Sequence, residues 1–253
     1  MKTYLSWSGG KDSTASIILC YEKGIPLDGI VMSEVMFDHS RNISGENPKH
    51  IKWVYETAIP IIENVFGYKV IVLKDDSDYI KEFYHILKKS KIKERNGKCR
   101  GFFLGGMCVG NNCLKMRPLK KFFKQQGNTR RIVGIAVDEP KRLARLKENT
   151  FSVLANYNIT EDVTYDICRK YNLLSPIYNE RTRGGCWFCP NQSVKEIAKL
   201  SKEYPDLWQE LKKMSKCENL VSQHFMYNKT FQEIEEQVNA INNQLTLFDF
   251  MND

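Results

Sequence analysis

The chain has 253 residues, 42% of them hydrophobic and 27% charged, which is the composition of an ordinary globular protein with one large domain or a main domain and an appendage. No apolar run approaches the roughly 20 residues that a membrane helix needs, and no signal peptide is apparent, so we expect a cytoplasmic protein without a membrane partner. The formal net charge of +8 has two interpretations, a solvated basic face or a polyanionic partner.

The first half of the chain alternates predicted strands and helices. In chain order these are strand 2–7, helix 12–23, strand 29–35, a helix of about 18 residues from Pro48, strand 69–73, helix 76–91 and strand 131–136. This alternation, with apolar β-branched strands, is typical of a parallel sheet covered by helices. We therefore predict an α/β fold with a Rossmann-like, doubly wound, mainly parallel five-stranded sheet.

The pattern changes after about residue 150. A helix is predicted at 160–171, a cysteine segment follows at 184–190, and the pattern from 193 to 242 is helical and charged. We expect a nucleotide-binding domain at 1–150, a mostly helical, cysteine-containing region at 151–242, and a flexible tail at 243–253.

The most specific signal is a glycine loop between the first strand and the first helix, read Ser-Trp-Ser-Gly-Gly-Lys-Asp-Ser-Thr from Ser6 to Thr14. Glycines allow close backbone approach to an anion, and the amides of the next helix point at it. Glu34 and Asp138 follow later strands, at the edge of the sheet where ligands bind. The predicted nucleotide-binding residues are Ser6, Ser8, Gly9, Gly10, Lys11, Asp12, Ser13, Thr14, Glu34 and Asp138.

Eight cysteines in a cytoplasmic chain favour metal or redox chemistry over structural disulfides. Cys186 and Cys189 form a C-x-x-C knuckle, and Cys108 and Cys113 form a looser pair. If the fold brings the pairs together, four thiolates can hold Zn²⁺ or a 4Fe–4S cluster, and both accept four sulfurs. Cys99 is held in reserve as a replacement ligand.

The loop pattern Ser-x-Gly-Gly-Lys-Asp-Ser resembles the PP-loop of the ATP-pyrophosphatase and PAPS-reductase superfamily. Further likenesses cover roughly residues 1–195: the segment 37–50, Cys113 to Leu119, Gly134 to Arg142, and 156–190 with its Ser-Pro-Ile-Tyr and Gly-Cys-x-x-Cys-Pro. The resemblance implies that ATP, or PAPS or APS, binds with Mg²⁺ at the loop. It also implies catalytic roles for Lys11, Asp12, Lys115 and Arg142, and it favours the cluster over zinc.

The resemblance implies an ATP-dependent adenylylating or sulfur-transfer enzyme, close to the DNA-phosphorothioation branch, acting on DNA, tRNA or a nucleotide. A cysteine desulfurase is one candidate sulfur donor. Two alternatives remain: a PAPS or APS reductase, and a nucleotide-binding regulatory protein without turnover. The reductases carry a C-terminal Glu-Cys-Gly-x-His segment, whereas Cys217 is followed here by Glu-Asn-Leu, which argues against the first alternative.

The end of the chain resembles a short docking peptide of bacterial proteins. Gln244 to Phe248 reads Gln-Leu-Thr-Leu-Phe, similar to the peptide that binds the DNA sliding clamp. An extended segment with Leu and Phe anchors suits a hydrophobic groove. The same residues could instead pack on their own domain.

Overall fold

The computed structural model describes residues 1–104, 108–179 and 184–250, with the backbone alone for 245–250. Its centre is a five-stranded sheet in the order β5-β2-β1-β6-β7, in which every pairing is parallel. Helices cover the sheet, so the predicted α/β class and parallel five-stranded sheet are confirmed.

The sheet and its helices come from the first two thirds of the chain. The strands are β1 Lys2–Trp7, β2 Gly29–Glu34, β3 Met36–Asp38, β4 Ile43–Ser44, β5 Val70–Lys74, β6 Thr129–Val133 and β7 Thr150–Phe151. The helices are α1 Lys11–Glu22, α2 Pro48–Trp53, α3 Ile59–Asn64, α4 Tyr79–Phe83, α5 Arg117–Gln126, α6 Pro140–Leu143, α7 Val153–Asn156 and α8 Glu161–Lys170. A π-helical segment at Val54–Ala58 joins α2 to α3, and another at Asn111–Met116 precedes α5.

The last third of the described chain is mostly helical. Its elements are α9 Val194–Glu203, α10 Pro205–Ser215, the hairpin strands β8 His224–Met226 and β9 Lys229–Thr230, and α11 Phe231–Phe250. No helix in the described part of the chain combines the length and apolar character needed to cross a bilayer.

The protein has two main hydrophobic cores. One lies between the sheet and α1, α2, α3, α7 and α8, and the other joins α9, α10 and α11 to residues 79–103 and the segment after Cys186. The packing therefore crosses the predicted domain boundary at residue 150 in both directions. The boundary itself stays a prediction.

Two predicted helical stretches are shorter than expected. The helix predicted at 76–91 ends at Phe83, and the chain then forms a hairpin in which the amide of Leu87 donates to the carbonyl of Lys98. Closely spaced lysines after Leu87 repel one another in a helix, which disfavours its continuation. The helical pattern of 193–242 is interrupted between Ser215 and Phe231, where β8 and β9 form a hairpin and Asn228 has a φ of 58° in the turn between them.

The predicted tail is partly described. The backbone of α11 continues to Phe250, whereas an extended tail was expected from residue 243. The side chains of 245–250 and all of 251–253 lie outside the described residues. The clamp-docking peptide at Gln244 to Phe248 therefore stays a prediction.

The strand order reverses between β1 and β6, and this crevice is where ligands of doubly wound sheets bind. Gly134, just after β6, contacts the first turn of α1 so closely that a Cβ would lie 2.5 Å from the amide nitrogen of Ser13. The carbonyl carbon of Asp12 would be only 2.7 Å away. Both neighbours are backbone atoms, so any side chain at position 134 would clash with the first turn of α1.

We predict that Gly134→Ala lowers the free energy of unfolding by about 1–3 kcal/mol, because overpacking must displace backbone. Urea unfolding followed by circular dichroism measures the change. Gly185→Ala is the matched control, because a Cβ there meets no atom within 4 Å. Equal stability of the two variants would contradict the assigned contact.

Candidate functional site

The glycine loop lies at the carboxyl end of β1 and opens α1. Gly9 has a φ of +73°, and a Cβ on it would lie 2.5 Å from the imidazole of His50. Both the conformation and the neighbour therefore require glycine. The loop holds its backbone amides at the amino end of a 12-residue helix, which is the arrangement that binds phosphate in many proteins.

Lys11 is a buried cation at the start of α1, with only 3% of its side chain exposed. Its ammonium lies 2.7 Å from a carboxylate oxygen of Asp12 and 2.7 Å from one of Glu161. It also lies 5.1 Å from the ring centre of Tyr165. Burial acts to lower the pKa of Lys11, but the hydrogen bonds to Asp12 and Glu161 outweigh it and raise the pKa. The Lys11 ammonium is therefore charged, and a bound phosphate can replace Glu161 as its ion-pair partner.

The hydroxyls predicted to contact phosphate differ in accessibility. The Ser13 hydroxyl donates to the carbonyl of Gly10 at 3.0 Å and lies 3.3 Å from the Ser8 hydroxyl. Thr14 is fully buried, and its oxygen accepts from the indole of Trp7 at 3.0 Å. Only Ser8 of these three hydroxyl residues is exposed; Ser13 is buried at 7% exposure, and Thr14 joins α1 to β1 below the loop surface. Ser6 is half-buried in β1.

One contact to the loop comes from much later in the chain. The amide of Lys11 donates to the Tyr178 hydroxyl at 3.0 Å. Burial raises the pKa of Tyr178, so the phenol is neutral at pH 7. Sequence reasoning noted the Ser-Pro-Ile-Tyr segment only as part of a resemblance, and it missed Glu161 entirely. Neither residue has a local pattern that connects it to the loop.

The remaining predicted nucleotide residues are held by neighbours. Glu34 is buried, accepts from the Tyr55 hydroxyl at 2.5 Å and lies 3.3 Å from the Lys74 ammonium. The Asp138 carboxylate accepts from the amide of Glu161 at 3.0 Å, at the first residue of α8. Asp138 therefore positions one of the two carboxylates that pair with Lys11.

Arg142 lies on α6, just beyond Asp138. Its side chain is 54% exposed and pairs with Glu139 at 2.5 Å. Glu139 is the N-cap residue of the same short helix, so this ion pair is local to α6. The guanidinium remains open to solvent, and its predicted catalytic role stays a prediction.

A buried polar chain leads from the loop toward the cysteines. The imidazole of His50 lies 3.2 Å from the carbonyl of Ser8 and 2.8 Å from the Ser175 hydroxyl. Burial lowers the pKa of His50, with Glu46 acting in the opposite direction. Glu46 is itself buried and lies 3.1 Å from the ammonium of Lys115. A hydrogen bond thus joins His50 to Ser8, an ion pair joins Glu46 to Lys115, and the charge of Glu46 acting on His50 completes this polar chain.

Three cysteine thiols lie around the far end of this chain. Cys186 forms an antiparallel backbone bridge with Glu46. The pKa of its thiol is raised well above the usual value, first by burial and then by the charge of Glu46. Cys189 and Cys108 raise it further, and Lys115 lowers it. The pKa of Lys115 is raised, chiefly by Glu46 and also by the Cys186 and Cys108 thiols. Cys108, Cys186 and Cys189 therefore share one environment with Lys115.

Two buried aromatic residues hold the C-x-x-C knuckle in place. Trp187 is fully buried and donates to the carbonyl of Ser44 at 2.9 Å. Phe188 stacks on Tyr79 with ring centres 3.8 Å apart. A Cβ at Gly45 would lie 2.8 Å from the ring of Phe188, so the knuckle packs directly on the loop before α2. Cys186 and Cys189 flank these anchors, and the charges of Lys115 and Cys189 both act on the Cys186 thiol.

The structure does not bring Cys113 or Cys99 to the same place. The charged groups around Cys113 are Glu82, Arg100, Arg117 and Asp75, and burial raises its pKa. Cys99 hydrogen-bonds Cys217 instead, and burial raises its pKa as well. Within residues 1–104, 108–179 and 184–250, no three His, Cys, Asp or Glu side chains are arranged to hold a metal ion. Of the four predicted ligands, Cys108, Cys186 and Cys189 are close enough for their charges to interact. The described side chains do not form a metal coordination site.

We predict opposite effects of two substitutions on ATP affinity. Lys11→Ala removes a charge-assisted hydrogen bond to phosphate and should weaken ATP binding by about 10- to 100-fold. Glu161→Gln removes the carboxylate that competes for the same ammonium and should tighten binding. Isothermal titration calorimetry measures both, with Lys23→Ala, an exposed lysine at the other end of α1, as the control. Unchanged affinity in Lys11→Ala would remove Lys11 from the phosphate site.

A second prediction concerns pH. Burial lowers the pKa of His50 below its unfolded value near 6.5. As the pH falls below that value, the imidazole is protonated in the unfolded chain but stays neutral in the folded protein. The contribution of a neutral His50 to stability is present above about pH 6.5 and is lost as the pH falls. Glu46 and Lys115 face the imidazole with opposite charges, so His50→Gln should flatten the pH dependence between 7 and 5. Urea unfolding against pH tests this, with the exposed His224→Gln as control.

No protein-family model matches the chain. No curated protein matches its sequence. Among solved structures, the chain is similar to the U34-tRNA thiolase NcsA from Methanococcus maripaludis with its 4Fe–4S cluster, at a TM-score of 0.38 and 16% identity over 86% of this chain and 73% of that one. Chains this dissimilar have at most a fold in common, so what this protein binds must follow from its own residues.

Proposed function

We propose that the protein is an ATP-dependent enzyme that adenylylates, or transfers sulfur to, a nucleic acid or nucleotide. One observation carries this proposal: the glycine loop and the thiols around Lys115 are linked through two buried polar residues, His50 and Glu46. His50 hydrogen-bonds the carbonyl of Ser8, the charge of Glu46 acts on His50, and Glu46 pairs with Lys115. A nucleotide-activating site and a sulfur site at the ends of one chain are what such a reaction needs.

The chemistry of the loop fits adenylyl transfer. An oxygen of the acceptor attacks the α-phosphorus of ATP, the bond to the bridging oxygen breaks, and pyrophosphate leaves with the electron pair. Charge builds on the phosphoryl oxygens, where fixed amides and a buried ammonium stabilise it without reorganisation. The amino end of α1 supplies the amides and Lys11 supplies the charge.

The thiols fit an iron–sulfur cluster by their chemistry and their shared surroundings. Cys108, Cys186 and Cys189 would hold it, and the ammonium of Lys115 would offset part of the thiolate charge. A bound cluster would supply a redox-active metal centre beside the nucleotide loop. Beside the knuckle, Trp187 and Phe188 are buried and Phe188 stacks on Tyr79, whereas Cys186 and Cys189 are partly exposed and Cys108 is exposed.

The cluster is tested by anaerobic purification followed by iron, sulfide and zinc analysis. We expect iron and sulfide in the wild type, and their loss in Cys108→Ser, Cys186→Ser and Cys189→Ser. Cys113→Ser is the matched control, because its thiol lies in a different environment. Loss of metal in Cys113→Ser would restore the four-cysteine set predicted from the sequence. One zinc per chain and no iron would contradict the cluster.

The reaction is tested separately by pyrophosphate release from ATP with single-stranded RNA, single-stranded DNA or neither. We expect release to depend on an acceptor and to fall in Lys11→Ala. Binding of ATP without pyrophosphate release under any condition would overturn the proposed activity and favour a nucleotide-binding regulator. Sulfite release from PAPS with thioredoxin would identify a reductase instead.

A further inference from the structure

A lysine-rich hairpin projects between α4 and the segment that leads to Cys108. We call residues 85–100 the lysine hairpin. Six of the eleven residues 88–98 are Lys or Arg, and Glu94 is the one acidic residue among them. Residues 91–98 are all exposed, as are Lys88 and Lys89. In the part of the chain that the structure describes, no ion pair neutralises these six cations.

The hairpin is a built element whose base is fixed by backbone hydrogen bonds. Leu87 and Lys98 pair across it at 2.9 Å, and the amide of Arg100 donates to the carbonyl of His85 at 3.0 Å. On its other side, the amide of Cys99 donates to the carbonyl of Asn219 at 2.8 Å. The charges are thus held together despite their repulsion, whereas a merely solvated surface would intersperse acidic residues among them.

Apolar and ring groups lie beside the cations. A surface depression at the start of the hairpin is lined by His85, Leu87, Lys88, Lys89 and Ser90. The imidazole and the leucine offer a face for a flat base, and the two lysines offer charge to the phosphates on either side. Ile92 at the tip is 46% exposed. Cations alternating with such groups are the recognition chemistry of an unpaired nucleic-acid strand.

The base of the hairpin is joined to the cysteine region. Arg100 pairs with Glu82, which lies 3.7 Å from the guanidinium of Arg117. Among the charged groups around Cys113, Glu82 and Arg100 have the largest effects on the pKa of its thiol. The pair of Leu87 and Lys98 is two residues, or about 7 Å of extended chain, from Arg100. The base of the hairpin is therefore joined to the segment that carries Cys113.

We propose that the lysine hairpin binds a single nucleic-acid strand, with its lysines on the phosphates and a base in the depression at His85. Its purpose as a substrate guide rests on the proposed function, but the binding itself needs no nucleotide turnover. The occupant is an unpaired strand rather than a duplex, because the depression accepts the exposed face of a base, which stacking hides in a duplex.

The experiment measures fluorescence anisotropy of a labelled 20-nucleotide oligouridylate, oligothymidylate or mixed-sequence duplex, without ATP, at several salt concentrations. The test variant carries Lys88→Glu, Lys89→Glu and Lys91→Glu. The matched control carries Lys23→Glu, Lys69→Glu and Lys147→Glu, with the same charge change. These three exposed lysines lie outside the hairpin, after α1, before β5 and before β7. We expect the test variant to bind a single strand about tenfold or more weakly, and the slope of log affinity against log salt to shrink by about 2, since each phosphate contact on a single strand contributes roughly 0.7.

A second variant, His85→Ala, should weaken single-strand binding and leave the salt slope unchanged, because it removes stacking and no charge. Both hairpin variants should bind ATP like the wild type, which shows that they fold and separates this result from any failure of the proposed activity. Equal losses in the test and control triples would overturn the proposal, as would absence of strand binding by the wild type. Tighter binding of the duplex than of either single strand would overturn it too.

Discussion

The approach of α1 to the end of β6 is the constraint on which the site depends. The helix can start at the switch point of the sheet only because residue 134 has no side chain to push it away. From that position its first amides and Lys11 face the crevice, within reach of Tyr178 and of Glu161 at the start of α8. A displacement of the helix by even one methyl group would separate the loop from both partners.

A second constraint fixes the thiols relative to the loop. Trp187 and Phe188 belong to the core of the helical region, yet they pack on Ser44 and Gly45, directly before α2. The turn that carries Cys186 and Cys189 is therefore held against the residues that lead to Glu46 and His50. Burial raises the pKa of Cys186, so its thiol holds its proton at neutral pH, and the proposed metal would have to displace that proton.

The cations of the protein are of two kinds. Lys11 and Lys115 are paired with carboxylates from distant segments, so a ligand must compete for them. The proposed nucleotide would meet this competition at its phosphates. The cations of the lysine hairpin have no such partners among the described residues, and they stay open to solvent.

The sequence by itself determined the parallel sheet, the glycine loop and the helix at Pro48, because each depends on neighbouring residues: alternation of strands and helices, glycines before a helix, and proline at a helix start. It also named Cys108, Cys186 and Cys189, whose charges interact in the structure, within a metal-ligand set that stays a prediction. The tertiary structure alone decided that Cys113 and Cys99 lie apart from them, and that Thr14 is buried. It alone brought Glu161 and Tyr178 to Lys11 and linked His50 with Glu46, because these contacts join residues far apart in the chain or on different elements. Local pattern specifies elements, whereas packing of two cores against each other specifies which side chains meet.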